Sequence, residues 1–301
     1  MDFARQAVGL AMHLDAVDAL RAFFIFAACA TLTLSFPNSL RSRFITYGAR
    51  ATPPSGSNSQ QSKPATESRS LATRVLDSLA SLQVPHSYFT QFYVASVLSM
   101  HPEHLEKSMS MNQVIVCWAL MMVQGVRRLR ECLIFSKPSS SRMWFVHWLL
   151  GIAFYLATGI AIWIEGTGTL LAHTPTLDDV KMALVPNTLR TIVCVPVFIL
   201  ASGLQHDCHH YLFSLEKYTV PTHPLFRSIV CPHYTAECAI YLCLAVLGAP
   251  EGETVNKTLA SCLCFVAVNL GITASTSRQW YAAKFGEAAV QGKRTMIPWV
   301  Y

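Results

Sequence analysis

Apolar runs long enough to cross a bilayer recur along the chain, and the short segments between them hold most of the charge. A bilayer core takes about 20 mostly apolar residues per helix. Seven segments meet or approach that length: Val17–Phe36, Tyr88–His101, Met111–Leu129, Trp144–Ile164, Leu189–Leu204, Tyr234–Leu247 and Leu259–Trp280. The second and sixth are short and amphipathic. The fold expected is all-α, a polytopic integral membrane bundle of about seven transmembrane helices. Composition agrees, since only 13% of residues are charged where a soluble domain carries about 25%.

Three parts follow from this layout. Residues 1–37 hold the N-terminus and the first span, which lacks a basic leader and cleavage site and so stays as an anchor. Residues 38–83 form a loop. Its stretch 50–70, rich in Ser, Pro and Gln, buries too little apolar surface to offset ordering entropy and is expected to be disordered. Residues 84–301 are the membrane core with its C-terminal tail. No internal repeat marks a two-copy transporter.

Lys and Arg alternate from loop to loop. Arg41, Arg43, Arg50, Lys63, Arg69 and Arg74 fall in one loop; Arg127, Arg128, Arg130, Lys137 and Arg142 in another; Lys284, Lys293 and Arg294 in the tail. The intervening loops are poorer in bases and richer in acids, with Glu103, Glu106, Asp178, Asp179, Glu251 and Glu253. The positive-inside rule then puts the N-terminus in the lumen and the C-terminus in the cytosol. The net charge of +6 is accounted for by those loops, so nucleic acid is excluded as a partner, and nothing points to an obligate protein partner. Ten cysteines, mostly inside apolar runs, form no CxxC pair and read as reduced thiols. The sequon Asn256-Lys257-Thr258 lies too close to the membrane to read as a glycan site.

Several clusters could carry chemistry. Gln124, Arg128 and Glu131 share one helical face, and Arg127 and Glu131 stand at i, i+4. That is either a positive-inside collar with an internal ion pair or an anion site facing the bundle, since Arg forks match phosphates. In "CPHYTAECAIYLCLAV", Tyr234, Glu237 and Tyr241 line one face. A carboxylate in an apolar helix costs about 2.5–3.5 kcal/mol to insert, so Glu237 should face a cavity or a partner, unless it snorkels to the interface. His206, His209 and His210 form an HxxHH box, but a membrane di-iron site needs several boxes on one face, so no metal is assigned. His147 and His173 read as structural. The C-terminal run of aromatics and bases is either an interfacial anchor or a clamp on an anionic ligand. No GxGxxG after a strand, GxxxxGK[ST] or GxSxG is present, so a nucleotide would bind without a Rossmann or P-loop domain.

Taken together, "VPHSYFTQFYVASVL", "RRLRECL", "QHDCHHYLFSLEK", "CPHYTAECAIYL" and "YAAKFGEAAVQGKRTMIPWVY" resemble the membrane steroid 5-alpha-reductase family, specifically its polyprenol (polyprenal) reductase branch. The resemblance implies a seven-helix bundle in the endoplasmic reticulum membrane, with NADPH in a polar cavity open to the cytosol and a long polyisoprenoid lipid entering from the bilayer. It implies reduction of the alpha-isoprene double bond, supplying dolichol for dolichyl phosphate and protein N-glycosylation. It places Arg128 on a phosphate, Gln205 and His209 among the polar nucleotide contacts, Tyr234 and Glu237 on the nicotinamide side, and Tyr281, Lys293 and Arg294 in a C-terminal clamp. The chain departs from the pattern in three places. Pro232-His233-Tyr234 replaces Pro-Asn-Tyr, Gly125 stands where the steroid enzymes carry a Tyr proton donor, and their second-helix Glu has no match.

Carbon–carbon reduction by hydride needs an electron sink. An enal has one in its carbonyl oxygen and an allylic alcohol does not, so polyprenal is the substrate chemistry favours, with polyprenol the other. Tyr234 and a protonated Glu131 are the candidate donors. Competing readings are a sterol or enoyl-thioester double-bond reductase, an S-adenosylmethionine-dependent isoprenyl methyltransferase, and a non-catalytic lipid-binding protein.

Overall fold

The computed structural model describes residues 15–37, 40, 41, 44, 71–85, 109–135, 142–183, 185, 188–216 and 218–297. These residues are mainly helical. The long elements are α1 (Ala16–Ser35), α3 (Met111–Ile134), α4 (Phe145–Ala161), α7 (Leu189–Ser214), α9 (Pro232–Leu247) and α10 (Lys257–Phe285). Short helices fill the connections: α2 (Leu71–Ser81), α5 (Thr167–Ala172), α6 (Leu177–Ala183) and α8 (Leu225–Ser228). Two three-residue strands, β1 (Gln83–Pro85) and β2 (Arg142–Trp144), pair antiparallel. They tie the segment after α2 to the start of α4, a link that no sequence signal announced.

Among the described residues, four helical segments are long and apolar enough to cross a membrane: Ala16–Ser35, Phe145–Ala172, Leu189–Ser214 and Lys257–Phe285. The chain is a multi-pass membrane protein, but the expected count of seven is not reached by the described residues. The reasons are physical. Helix α3 forms where expected yet brings Arg127, Arg128, Arg130 and Glu131 into its last turns, and α9 is only 16 residues long. The expected span Tyr88–His101 and the stretch 50–70 lie outside the described residues.

Local chemistry sets the helix ends. Ser110 closes a capping box on α3, its hydroxyl accepting from the Gln113 amide while the Gln113 side chain accepts from the Ser110 backbone N–H. Pro232 opens α9, where its missing N–H costs nothing. Gly286, at φ +86°, ends α10 in a conformation that a side chain would strain. Asn256 caps α10: its Oδ1 accepts from Leu259 N at 2.9 Å and its Nδ2 donates to Gly248 O at 3.1 Å.

Because Asn256 and Thr258 are both fully buried, the sequon cannot present its amide to a glycosylating enzyme once folded. The protein should therefore keep its gel mobility after endoglycosidase treatment. Asn256→Ala should lower the melting temperature by the equivalent of about 1 kcal/mol through loss of the cap. A mobility shift abolished by Asn256→Gln would refute this placement.

Packing follows membrane logic, in which small residues let backbones approach. Helix α10 packs against both α1 and α9, and α9 against α7. Ala27 and Ala28 of α1, Ala157 and Gly159 of α4, and Gly271 and Ala274 of α10 are buried. At the end holding the starts of α1 and α10, Arg21 donates to Glu165 at 3.1 Å and to Thr258 at 3.0 Å, and Thr258 also donates to the buried Glu165. At the same end Gly166 passes so close to α3 that a β-carbon there would run into the Val114 side chain. The opposite end is polar, and the site lies there. All ten cysteines carry free thiols.

Candidate active site in a cavity between the helices

Helices α3, α7 and α9 bring a polar cluster together. Gln124 Nε2 donates to Gln205 Oε1 at 2.9 Å, and Ser202 Oγ donates to Gln124 Oε1 at 2.9 Å. Arg127 is held by this cluster: its Nε donates to Ser202 Oγ at 3.0 Å, its Nη2 to Gln124 Oε1 at 2.9 Å and to Gln205, and its Nη1 to Glu131. Gln205 in turn donates to Glu237. Gln124, Glu131 and Gln205 are each under 5% exposed, so their polar atoms depend on one another rather than on water.

Glu131 is the hub. Its Oε1 accepts from Arg127 and lies 2.7 Å from His206 Nδ1, and its Oε2 accepts from Arg128 and lies 2.8 Å from His209 Nδ1. His209 Nδ1 is also 2.7 Å from Arg128 Nη1. One ring nitrogen cannot donate to the carboxylate and accept from the guanidinium at once, so the tautomer of His209 decides which contact is a hydrogen bond. Two of the HxxHH imidazoles thus converge on Glu131. The third, His210, packs on Phe135 with ring centroids 5.6 Å apart.

Beside this cluster opens a cavity of about 180 Å³. Its polar pole is formed by Arg128, Gln205, His209, Tyr234 and Glu237, five of the residues singled out from the sequence. Its other pole is apolar and aromatic: Leu150, Phe154 and Tyr155 from α4, Tyr241 from α9, and Phe265, Val266 and Leu270 from α10. Phe154 anchors that pole, with ring centroids 5.1 Å from Phe265 and 6.2 Å from Tyr241. Tyr234, Glu237 and Tyr241 line the wall at i, i+3, i+7, the stripe read from the sequence.

Glu131 stands behind the wall rather than in it. Tyr281 and Lys293 border a separate small cleft with Phe226 and Val290. Arg294 does not line the main cavity; its backbone pairs with the chain before α9, N to Ser228 O and O from Val230 N, both at 2.8 Å. Thr235 Oγ1 then donates to Met296 O at 2.5 Å. The tail therefore clamps the first turn of α9, the turn that carries Tyr234.

Some wall residues escaped sequence reasoning. His147, expected to be structural, lines the cavity, as do Asn269 and Thr273. Asn269 had a signal: it is the one amide in the apolar run from Cys262 to Ile272.

A cavity with a polar pole that holds both an Arg and a Glu, and with an apolar pole, set among membrane helices, suits a ligand or ligands with polar and apolar parts. Comparison with known proteins narrows that range. The family model for 3-oxo-5-alpha-steroid 4-dehydrogenase matches residues 146–301, and the chain belongs to that family of oxidoreductases, as the resemblance implied. It is 29% identical over 228 residues to a polyprenal reductase of Saccharomyces cerevisiae, covering 75% of this chain and 78% of that protein. It is 26% identical over 205 residues to one of Xenopus laevis (62% and 59%), and 27% over 215 residues to one of Xenopus tropicalis (66% and 64%). The chain thus matches less than two thirds of each frog relative's length.

Proposed function

We propose that this protein is an NADPH-dependent polyprenal reductase of the endoplasmic reticulum membrane. It saturates the alpha-isoprene double bond of polyprenal to give dolichal, and so supplies dolichol for dolichyl phosphate and protein N-glycosylation. One observation carries this reading: a single cavity joins a pole with Arg128, Gln205, His209 and Glu237 to a wall of aromatic and aliphatic side chains, in a chain whose relatives are named polyprenal reductases.

The polar pole suits NADPH chemically. Arg128 is a fork for phosphate oxygens, Gln205 and His209 add neutral hydrogen-bonding groups, and the Glu237 carboxylate can accept from a carboxamide. Lys293 and Arg294, in the tail that braces α9, add positive charge where that tail meets the first turn of α9. Bound there, NADPH supplies the hydride that saturates the double bond. The protein's own groups do the rest. Phe154, Tyr241 and Phe265 exclude water and seat the isoprene units. Tyr234, in the first turn of α9, gives a proton to the α-carbon as charge on the enal oxygen collapses. Glu131, with both oxygens occupied by donors, holds Arg127 and Arg128 in place and does not serve as the proton donor. In the membrane, the end holding Arg128 and Tyr234 faces the cytosol, with the C-terminus there and the N-terminus in the lumen.

The test uses purified protein in detergent with NADPH, offering polyprenal and polyprenol separately and following lipid products. Saturation of the alpha-isoprene in polyprenal alone is the expected result. Activity on polyprenol alone would overturn the enal chemistry, and turnover of neither would overturn the substrate.

A further inference from the structure

The enal chemistry needs a group that stabilises negative charge on the aldehyde oxygen as the double bond is attacked, and the steroid enzymes' donor pair is not evident here. Gly125, where those enzymes carry a tyrosine, has no side chain. A neutral hydrogen-bond donor set deep in the cavity would serve, and α10 carries one.

Asn269 lies near the middle of Lys257–Phe285, a segment long and apolar enough to cross a membrane. Polar side chains at such depth are rare and face a partner or a cavity. Asn269 faces the cavity. Its backbone carbonyl accepts from Thr273 Oγ1 at 2.8 Å, but among the described residues no hydrogen bond engages its side-chain amide. A turn further along α10, Thr273 lines the same wall; a turn earlier, Phe265 begins the aromatic floor against Phe154. The amide therefore marks the level at which the wall changes from hydrogen-bonding to apolar. A polyisoprenoid aldehyde has one polar atom at the head of a long apolar chain. With its tail on the floor, its oxygen comes to that level.

We propose that the Asn269 side-chain N–H donates a hydrogen bond to the aldehyde oxygen of the polyisoprenoid substrate. This deepens the reductase reading and rests on it. An amide suits the task. It carries no charge to desolvate, it does not surrender its proton, and a fixed dipole aimed at a developing oxyanion needs no reorganisation in a dry site. The balance is simple. Hydride adds at the β-carbon, the electron pair of the double bond moves toward the α-carbon and oxygen, the amide stabilises that oxygen, and a proton from Tyr234 completes the α-carbon.

Three measurements on full-length protein test this: kcat with polyprenal, Kd for NADPH, and the carbonyl stretch of a bound saturated aldehyde labelled with carbon-13 at the carbonyl. Asn269→Leu keeps the branching and number of side-chain heavy atoms, and its apolar side chain suits a membrane segment. It should lower kcat by about 10²–10³, the loss found when one oxyanion donor is removed. It should also shift the carbonyl stretch to higher frequency and leave the NADPH Kd unchanged. Asn269→Gln, which keeps the donor, should recover part of both the rate and the frequency shift. Unchanged kcat and stretch in Asn269→Leu would sink the proposal. Weakened NADPH binding with an unchanged stretch would also sink it, assigning the amide to the cofactor. No turnover of polyprenal by the unaltered protein would sink the substrate reading and this role with it, whereas normal turnover unaffected by Asn269→Leu would sink only the role of the amide.

Discussion

Glu131→Gln is expected to weaken NADPH binding and fold stability together, not the chemical step alone. The carboxylate is 4% exposed and sits against two guanidiniums that retain 18% and 19% of their side-chain surface. Neutralising it leaves Arg127 and Arg128 adjacent without their shared counter-charge, and removes the acceptor that His206 and His209 approach. Breaking a buried pair from one side costs about 3–5 kcal/mol; partial exposure of the arginines points to the lower end. With Glu131 gone, Arg128 is no longer held toward the cavity, so its hold on phosphate falls as well. The measurement is a melting curve in detergent with a Kd for NADPH on the same preparation. If Glu131 were instead the proton donor, Glu131→Gln would keep both values and lose kcat alone, and that pattern would overturn the positioning role. Glu131→Asp, which keeps the charge but shortens the reach, should fall between the two.

How far the sequence reached is clearest on α3. The i, i+4 relation of Arg127 and Glu131 was legible because helical geometry alone makes those positions neighbours. That His206 and His209 close on the same carboxylate was not legible. Those contacts depend on how α3 lies against α7, which no local period encodes. The same division holds for the cavity. The face of Tyr234, Glu237 and Tyr241 follows from one helix. The inclusion of His147 and Asn269 follows from the packing of α4 and α10 around it. Composition left the tail's bases open between an interfacial anchor and a clamp on an anion; it gave no sign that the tail grips protein, through Arg294 backbone groups bonded to the chain before α9 and the Met296 carbonyl bonded to Thr235 in its first turn. The β1–β2 pair had no signal because three-residue strands leave no period to read. The membrane class, by contrast, was legible from length and apolarity, since a bilayer imposes both on every spanning helix.

Tyr234→Phe should give the largest loss confined to the chemical step. The ring lines the polar pole of the cavity and packs on His233 with centroids 4.2 Å apart. Removing one oxygen therefore leaves the packing of the first turn of α9 intact, and the tail contacts of Thr235 with it. What is lost is a hydroxyl able to give a proton at the polar pole of the cavity. General acid catalysis by a positioned side chain is worth about 10²–10⁴ in rate, and kcat for polyprenal should fall within that range while the NADPH Kd and melting temperature hold. A second signature separates proton donation from mere positioning. If Tyr234 delivers the proton in the slow step, kcat in the unaltered protein falls in deuterated water, and in Tyr234→Phe the residual rate shows a different solvent isotope effect because another donor has taken over. A Tyr234→Phe protein with unchanged kcat would mean that the proton comes from elsewhere, with His147 and Thr273, on the same cavity wall, next to be replaced. Combined with Asn269→Leu, the loss should be less than the product of the two single losses, because donors serving one transition state do not act independently.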